Sequence, residues 1–306
     1  MALSIPGKMN AGKAGGNNRE PARLQSSVTK KPDFSWIGAA AVMLIATLGS
    51  AEESHVHARL VADATELRAG ESFHLGVLLE PEPGWHVYWR NPGEAGLATE
   101  IATTLPEGFQ VGELGWPTPI FFEQPGGIGG FGYEDPVVLA AEVTAPDRVA
   151  SSAPVSVTAS WLACKDVCVL GSAEMKAELP LKGAELAASK AALEGWSETL
   201  PIAAEPGLFE LSVTGGPVPE TGSADLAVWL NWKEPPGSTL EFFPDPGADL
   251  KVEGVRTQTR GRLTRIDFKI SRLKTSSAPA DTLRSLIAIE DPDGNRRALV
   301  SHIDIE

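Results

Sequence analysis

Two cysteines, Cys164 and Cys168, are the residues of this 306-residue chain best suited to chemistry, and the chain has no others. Three residues separate them in WLACKDVC (161–168). A disulfide that closes so short a loop contributes about 2 kcal/mol of chain entropy, against about 5 kcal/mol for a hundred-residue loop. A structural staple would gain more between distant strands, so a redox pair and a structural cystine both remain open. The spacing also differs from the two intervening residues of thioredoxin-type motifs.

The segment PVSVTASWLAC (154–164) alternates in a way that predicts a strand leading into this pair. Val155, Val157, Ala159, Trp161 and Ala163 share one face, which we expect to be the core face. Cys164 lies on the other face, so we expect it on the more accessible side of the strand. Because EMKAELPL (174–181) also alternates, the cysteines are predicted to lie at the end of a hairpin.

The chain as a whole has the pattern of an all-β protein. Its 31 glycines and 24 prolines separate short alternating segments, which is typical of β-sandwiches. An Ala-, Leu- and Glu-rich stretch with Leu186, Leu193 and Trp196 at helical spacing interrupts this pattern. FHLGVLLEPEPGWHVYWRNPG (73–93) also resembles LAVWLNWKEPPGSTLEFFPDPG (226–247). We therefore predict two β-sandwich domains, residues 52–182 and 205–306, joined by a helical linker over 183–204, with cysteines in the first domain only.

The first 51 residues differ from the rest of the chain. A basic segment precedes FSWIGAAAVMLIATLG (34–49) and Ser50-Ala51, which is the layout of a secretory signal. We predict a signal peptide over residues 1–51 and a periplasmic location, with an uncleaved membrane anchor as the alternative. Residues 1–51 carry six basic and two acidic side chains, so the net charge of −14 becomes −18 without them. Such an acidic chain argues against a nucleic-acid partner.

Other motifs offer weaker chemistry. The segment GIGGFG (127–132) matches a nucleotide-binding pattern, but no strand–helix unit surrounds it. Its glycines and neighbouring aromatic residues instead predict a mobile loop able to cover a site. His55 and His57 lie near the predicted new amino terminus, so copper handling by these histidines and the cysteines is an alternative hypothesis. No resident metal or cofactor is predicted, and no hydrolase motif is present.

Four segments in this order, GWHVYWRNPG (84–93), GWPTP (115–119), FGYED (131–135) and WLACKDVCVLGSAE (161–174), resemble the amino-terminal periplasmic domain of DsbD-type thiol:disulfide interchange proteins. The ScsB-like branch, linked to copper tolerance, is the most similar, and the resemblance covers roughly residues 55–182. It implies an immunoglobulin-like sandwich with Cys164 and Cys168 as the redox pair. It also places His86 and Tyr88 beside the pair and an aromatic cap over it. We expect Phe122 to be the cap, with Phe121 and Phe131 as alternatives.

The same resemblance implies electron transfer from a membrane-embedded thiol transporter to periplasmic thioredoxin-like proteins or disulfide isomerases. No multi-span membrane segment or thioredoxin-like domain follows residue 182, so we expect the electron donor to be a separate protein. The main hypothesis is therefore thiol–disulfide exchange of the protein-disulfide reductase type, with Cys168 the expected attacking residue. A non-catalytic binding or scaffold module with a structural disulfide is the principal alternative.

Overall fold

The computed structural model describes residues 55–124, 126–237, 239–273, 281–291 and 293–305. The predicted signal peptide lies outside these residues. They are nearly all β, as predicted, and they belong to one compact unit. No helix in the described ranges is long and apolar enough to cross a membrane. The strands are β1 Val56–Ala62, β2 Ser72–Pro81, β3 His86–Gly93, β4 Glu100–Thr104, β5 Gln110–Val111, β6 Ile120–Gln124, β7 Ile128–Tyr133, β8 Val137–Thr144, β9 Ala153–Cys164, β10 Cys168–Leu179, β11 Ile202–Ala203, β12 Phe209–Thr214, β13 Ser223–Trp232, β14 Thr239–Asp245, β15 Leu250–Arg260, β16 Leu263–Arg272, β17 Thr282–Glu290 and β18 Arg296–Asp304.

The first sandwich consists of β1 to β10. One sheet has the order β1-β2-β8-β5, and the other has the order β10-β9-β3-β7-β6, with β4 also paired to β9. The alternation predicted for β9 is present, because Val155, Val157, Ala159, Trp161 and Ala163 are all buried. These side chains fill the space between the two sheets, as apolar faces of a sandwich must.

The second sandwich consists of β11 to β18. Its sheets have the orders β12-β13-β16-β15 and β11-β18-β17-β14. The short strand β11 pairs in parallel with β18, whereas the other pairs of this sandwich are antiparallel. Two packed sheets of four strands each, built mainly from antiparallel pairs, correspond to the immunoglobulin-like arrangement. The fold-class prediction of two such sandwiches is confirmed.

The two segments of the weak internal repeat occupy equivalent positions in the two sandwiches. In the first, β2 and β3 follow one another and lie in opposite sheets. In the second, β13 and β14 do the same. Gly84 and Gly237, which lie in the connections, both have positive φ, at 81° and 125°, a backbone conformation that favours glycine. The Pro-Gly turn is thus the point where the chain crosses between sheets in each sandwich.

The segment predicted as a helical linker contains three short elements. An α-helix, α1, spans Gly183–Leu193 and packs on β1, and a 3-10 helix spans Trp196–Thr199. The Trp196 indole is buried and donates its Nε1 hydrogen to the Val138 carbonyl at 3.0 Å. The segment then ends in β11, which joins a sheet of the second sandwich. It is therefore attached to both sandwiches.

The apolar core of the first sandwich extends onto β14, β17 and β18, and the second sandwich also has a separate internal core. Phe243, on β14, is fully buried and lies 5.2 Å from Phe131, between ring centroids. Polar contacts surround this core: the Arg90 guanidinium pairs with the Asp245 carboxylate at 2.5 Å, and the Asn91 amide donates to the Pro244 carbonyl at 2.6 Å. Burial raises the pKa of Asp245, and Arg90 opposes that rise. This contact fixes the second sandwich next to β3 and β7.

Candidate functional site

The cysteines form a disulfide across the end of the β9–β10 hairpin. Cys164 is the last residue of β9, Cys168 is the first of β10, and the two are register partners. Their sulfur atoms are bonded and their Cα atoms are 4.1 Å apart. The Lys165 ammonium donates to the Pro83 carbonyl at 3.2 Å, which attaches the hairpin tip to the turn before β3. The predicted position of the pair at a hairpin end is confirmed.

The two cysteines differ sharply in accessibility. Cys164 is only 1% exposed, whereas Cys168 is exposed. Our expectation that Cys164 leaves the strand on its accessible side is wrong. The residue does lie on the predicted outer face, but Tyr88 and Phe122 pack over it, with Ile120 and Leu162 at the edge. Residues from a distant part of the chain therefore bury one sulfur and leave the other open.

Tyr88 provides a hydrogen-bond donor to the buried sulfur. Its hydroxyl lies 3.4 Å from Cys164 Sγ and 3.1 Å from Gln124 Oε1, and it can donate to either. Burial raises the pKa of Tyr88, with Gln124 opposing the rise, so the hydroxyl keeps its proton near neutral pH. Strand β3 puts this hydroxyl here because His86, two residues earlier on the same face, is the register partner of Cys164.

His86 contacts both Tyr88 and Phe122. Its ring centroid is 4.0 Å from that of Phe122, and its Nε2 atom is 3.4 Å from the Tyr88 hydroxyl. The side chain is 8% exposed, and burial lowers the pKa of His86 below its usual 6.5. The imidazole is therefore neutral near pH 7, where it adds an uncharged polar group beside Cys164.

Strands β6 and β7 form a hairpin, here called the cap hairpin, that carries Phe122 over Cys164. Its glycines are needed for close packing. A Cβ atom on Gly130 would lie 2.3 Å from the Phe122 ring, and one on Gly132 would lie 2.0 Å from the Val87 carbonyl. The GIGGFG segment is thus part of a β-hairpin, where its glycines admit aromatic rings and a neighbouring strand.

The structure does not bring all three candidate phenylalanines to the disulfide. Phe122 is 9% exposed and contacts Tyr88 and His86. Phe121 points to the opposite side of the cap hairpin and is 50% exposed. Phe131 is buried in the core against Phe243. Because side chains alternate along β6, only one of two adjacent phenylalanines can face the sulfur.

Gln124 is a site residue that our sequence reasoning missed. It lies two residues after Phe122 in β6 and accepts the Tyr88 hydrogen bond. The same period-two alternation that places Phe122 on this face also places Gln124 there, so the signal was present once the strand was recognised.

The histidines considered for copper make other contacts. His55 bonds to the Glu82 carboxylate at 2.8 Å and stacks on Trp85 with ring centroids 3.7 Å apart. His57 is exposed on β1. Within the described ranges no group of three or more His, Cys, Asp or Glu residues is placed to hold a metal ion.

Comparison with known proteins finds similarity over the first sandwich. Residues 57–180 match the family model described as "Thiol:disulfide interchange protein DsbD, N-terminal". The crystal structure of the N-terminal periplasmic domain of ScsB from Proteus mirabilis aligns with a TM-score of 0.60 at 20% identity, over 82% of this chain and 94% of that chain. A conserved domain protein from Bacillus anthracis aligns at 10% identity over 83% of this chain and 89% of that chain, with a TM-score of only 0.17. No curated protein matches this chain.

The ScsB domain covers more of the chain than the family model does, so the similarity of fold extends into the second sandwich. The family match itself ends before α1 and contains both cysteines, β3 and the cap hairpin. Residues 57–180 of this chain are therefore similar to the DsbD N-terminal family of thiol:disulfide interchange proteins.

Proposed function

We propose that this protein is a periplasmic thiol–disulfide exchange protein in which Cys164 and Cys168 cycle between disulfide and dithiol. The observation that carries the proposal is the asymmetry of the pair. Cys168 is exposed at a hairpin end, while Cys164 is buried beside a hydroxyl donor and under a phenyl ring. A structural staple needs no such asymmetry, whereas exchange needs one sulfur to meet a partner and the other to resolve the intermediate.

In the reductive direction, the Cys168 thiolate attacks one sulfur of a partner disulfide, and the other partner sulfur leaves as a thiolate. Cys164, after losing its proton, then attacks Cys168 Sγ in the mixed disulfide. This step releases the second partner thiolate and restores the Cys164–Cys168 disulfide. Two electrons pass to the partner, which takes up two protons when both of its thiols are protonated.

The site supplies what Cys164 needs in the second step. A thiolate at Cys164 Sγ is a better acceptor than a disulfide sulfur, so the Tyr88 hydroxyl, 3.4 Å away, is placed to stabilise it. In the disulfide form the same hydroxyl has Gln124 as its acceptor at 3.1 Å. Tyr88 would thus change acceptor with the redox state of the pair.

Docking requires accessible apolar surface and movement of the cap. Val167 and Leu170, on either side of Cys168 in sequence, are 62% and 64% exposed and offer an apolar rim around the open sulfur. Phe122 covers Cys164, so the cap hairpin must move away from Cys164 before a partner can approach both sulfurs.

We further propose that a membrane-embedded thiol transporter reduces the pair, and that periplasmic thioredoxin-like proteins or disulfide isomerases are its acceptors. The match of residues 57–180 to the DsbD N-terminal family model supports this role. The similar fold of the ScsB domain, which is described as periplasmic, supports the location.

Two measurements test the function. Structural disulfides typically have reduction potentials in the range below about −300 mV. We expect the potential of this pair, measured in glutathione or dithiothreitol buffers, to be higher than about −300 mV. We also expect C164A, which keeps the exposed thiol, to accumulate mixed disulfides with periplasmic proteins, while C168A accumulates far fewer. A potential within that range, together with no trapped partner for C164A, would identify the disulfide as structural.

A further inference from the structure

Glu94 connects the cap hairpin to the second sandwich. It follows β3, and its backbone N–H donates to the Gly129 carbonyl at 3.0 Å. One carboxylate oxygen accepts from the Gly129 N–H at 3.3 Å, and the other accepts from the Gly254 N–H at 3.2 Å. Gly129 belongs to the cap hairpin and Gly254 to β15. A single side chain therefore holds backbone groups of both sandwiches.

The donor on the second sandwich is available because β15 is irregular at this point. The register between β15 and β16 shifts between Glu253 and Arg256, and Gly254 has a φ of 64°. Such a bulge takes a residue out of the regular ladder. Its N–H is consequently free to point at Glu94 rather than at β16.

The cap hairpin has space on the side away from the disulfide. A cavity of about 240 Å³ lies next to Phe121 and extends to the second sandwich, where Phe242, Val252 and Val255 line it. The Phe122 ring faces the other way and rests on Gly130, directly after Gly129. A hairpin that tilts into this cavity would lift Phe122 from Cys164.

We infer that Glu94 is a positioning residue through which the second sandwich holds the cap hairpin closed over Cys164. The inference rests on the proposed function for its biological meaning, since a closed cap matters only if the sulfurs exchange. The connection runs from Gly254 through the Glu94 carboxylate to Gly129, and from there to Phe122. The second sandwich thus controls access to a site that lies wholly in the first.

The test uses a single-thiol protein. Because the chain has two cysteines, C168S leaves Cys164 as its one thiol, and alkylation by iodoacetamide then reports the accessibility of that sulfur alone. E94Q keeps the size of the side chain, but it replaces one of the two acceptor oxygens by an NH2 group, so one of the two backbone N–H groups would face a donor in this geometry. We expect C168S/E94Q to be alkylated about threefold faster than C168S, a modest effect because Glu94 is exposed.

A matched control and a double-mutant cycle decide between a specific and a general effect. E123Q changes an exposed carboxylate on the same hairpin and should leave the rate unchanged. F122A should accelerate alkylation, and E94Q should add little in the F122A background, because it acts through the cap. G254A, strained at a positive φ but with free space around the new methyl group, should weaken the same connection from the other sandwich.

Three outcomes would overturn the inference: no acceleration by E94Q, equal acceleration by E123Q, or a full E94Q effect in the F122A background. Thermal midpoints of all variants identify any loss of folding, in which case G254A carries the test. Alkylation requires no redox partner. A structural disulfide with Glu94-dependent alkylation would reject the proposed function alone, and a working exchange protein with Glu94-independent alkylation would reject this inference alone.

Discussion

The two sandwiches end their last hairpins in very different ways. In the first, the register pair at the tip is Cys164 and Cys168. In the second, the equivalent pair closing β17 and β18 is Glu290 and Arg296. The turn there is held by Asp291, whose carboxylate accepts hydrogen bonds from the backbone N–H groups of Asp293 and Asn295 at 2.9 Å. The same strand arrangement therefore supports a disulfide bond in one case and an Asp-based turn in the other.

The neighbouring strand shows the same contrast. His86 on β3 pairs with Cys164, and two residues later Tyr88 places its hydroxyl 3.4 Å from the sulfur. On β14, Thr239 pairs with Glu290, and two residues later Glu241 forms an ion pair with Arg296 at 2.7 Å. The fold determines where a side chain on this strand meets the hairpin tip. The residue type determines whether the contact is a thiol site or an ion pair.

The second hairpin tip contributes to packing between the sandwiches. Arg296 also donates to the Pro119 carbonyl at 2.6 Å, just before the cap hairpin begins. The first sandwich has an extra feature, since β4 to β7 lie between β3 and β8, whereas only β15 lies between β14 and β16. The segment from β4 to β7 contains the cap hairpin. The second sandwich contacts this hairpin at its base through Arg296 and at Gly129 through Glu94.

The largest expected effect comes from replacing both cysteines at the tip of the β9–β10 hairpin. C164S/C168S should abolish thiol–disulfide exchange in a glutathione redox assay, because no other cysteine is present. The free energy of unfolding should fall by only about 2 kcal/mol, since the closed loop is short. Urea denaturation measures this loss. A much larger loss would show that the first tip, too, serves mainly to stabilise the fold.

A smaller effect is expected at the second tip. R296Q removes the ion pair with Glu241 and the bonds to the loop before the cap hairpin. Because the pair is half-buried, we expect unfolding to become easier by about 1–2 kcal/mol. The reduction potential of the cysteines should not change. A clear shift of that potential in R296Q would show that the β17–β18 tip also affects the redox behaviour of the cysteines.

The Tyr88 hydroxyl sharpens the comparison further. Y88F removes the donor to Cys164 Sγ, so the reduced form should be less stable by about 1 kcal/mol, which lowers the reduction potential by about 20 mV. Y133F is the matched control, because the Tyr133 hydroxyl donates to the Pro117 carbonyl and not to sulfur. The hydroxyl has no redox role if both variants keep the wild-type potential in redox titrations.

The smallest expected effect concerns pH. The pKa of His86 is lowered by burial, so the unfolded chain binds its proton more readily than the folded protein does. Stability is therefore retained above about pH 6.5 and lost as the pH falls below that value toward the folded-state pKa. H86Q should lose less stability than wild type between pH 7.5 and pH 5.5 in urea denaturation. Equal losses would show that His86 does not contribute to the pH dependence.

Much of the fold follows from local patterns. The alternation over β9 and β10, the Pro-Gly turns, and the placement of both cysteines at a hairpin end depend on residues near each other in the chain. The helix was located through Leu186 and Leu193, but its packing on β1 was not predicted. The burial of Cys164 was mispredicted because the residues that cover it come from β3 and from the cap hairpin. Tyr88, for example, is 76 positions away from Cys164 in sequence.

The sequence by itself determined that this protein is all-β, that its two cysteines lie at the end of one hairpin, and that an aromatic residue from the Gly-rich region is a candidate for the cap. Only the tertiary structure decided which cysteine is buried and which phenylalanine covers it. Phe121 and Phe122 are adjacent and chemically identical, and a shift of one residue in strand register exchanges their faces. That register is set by pairing of β6 with β7 and by packing of glycines against aromatic rings, and these contacts exist only once distant strands have come together.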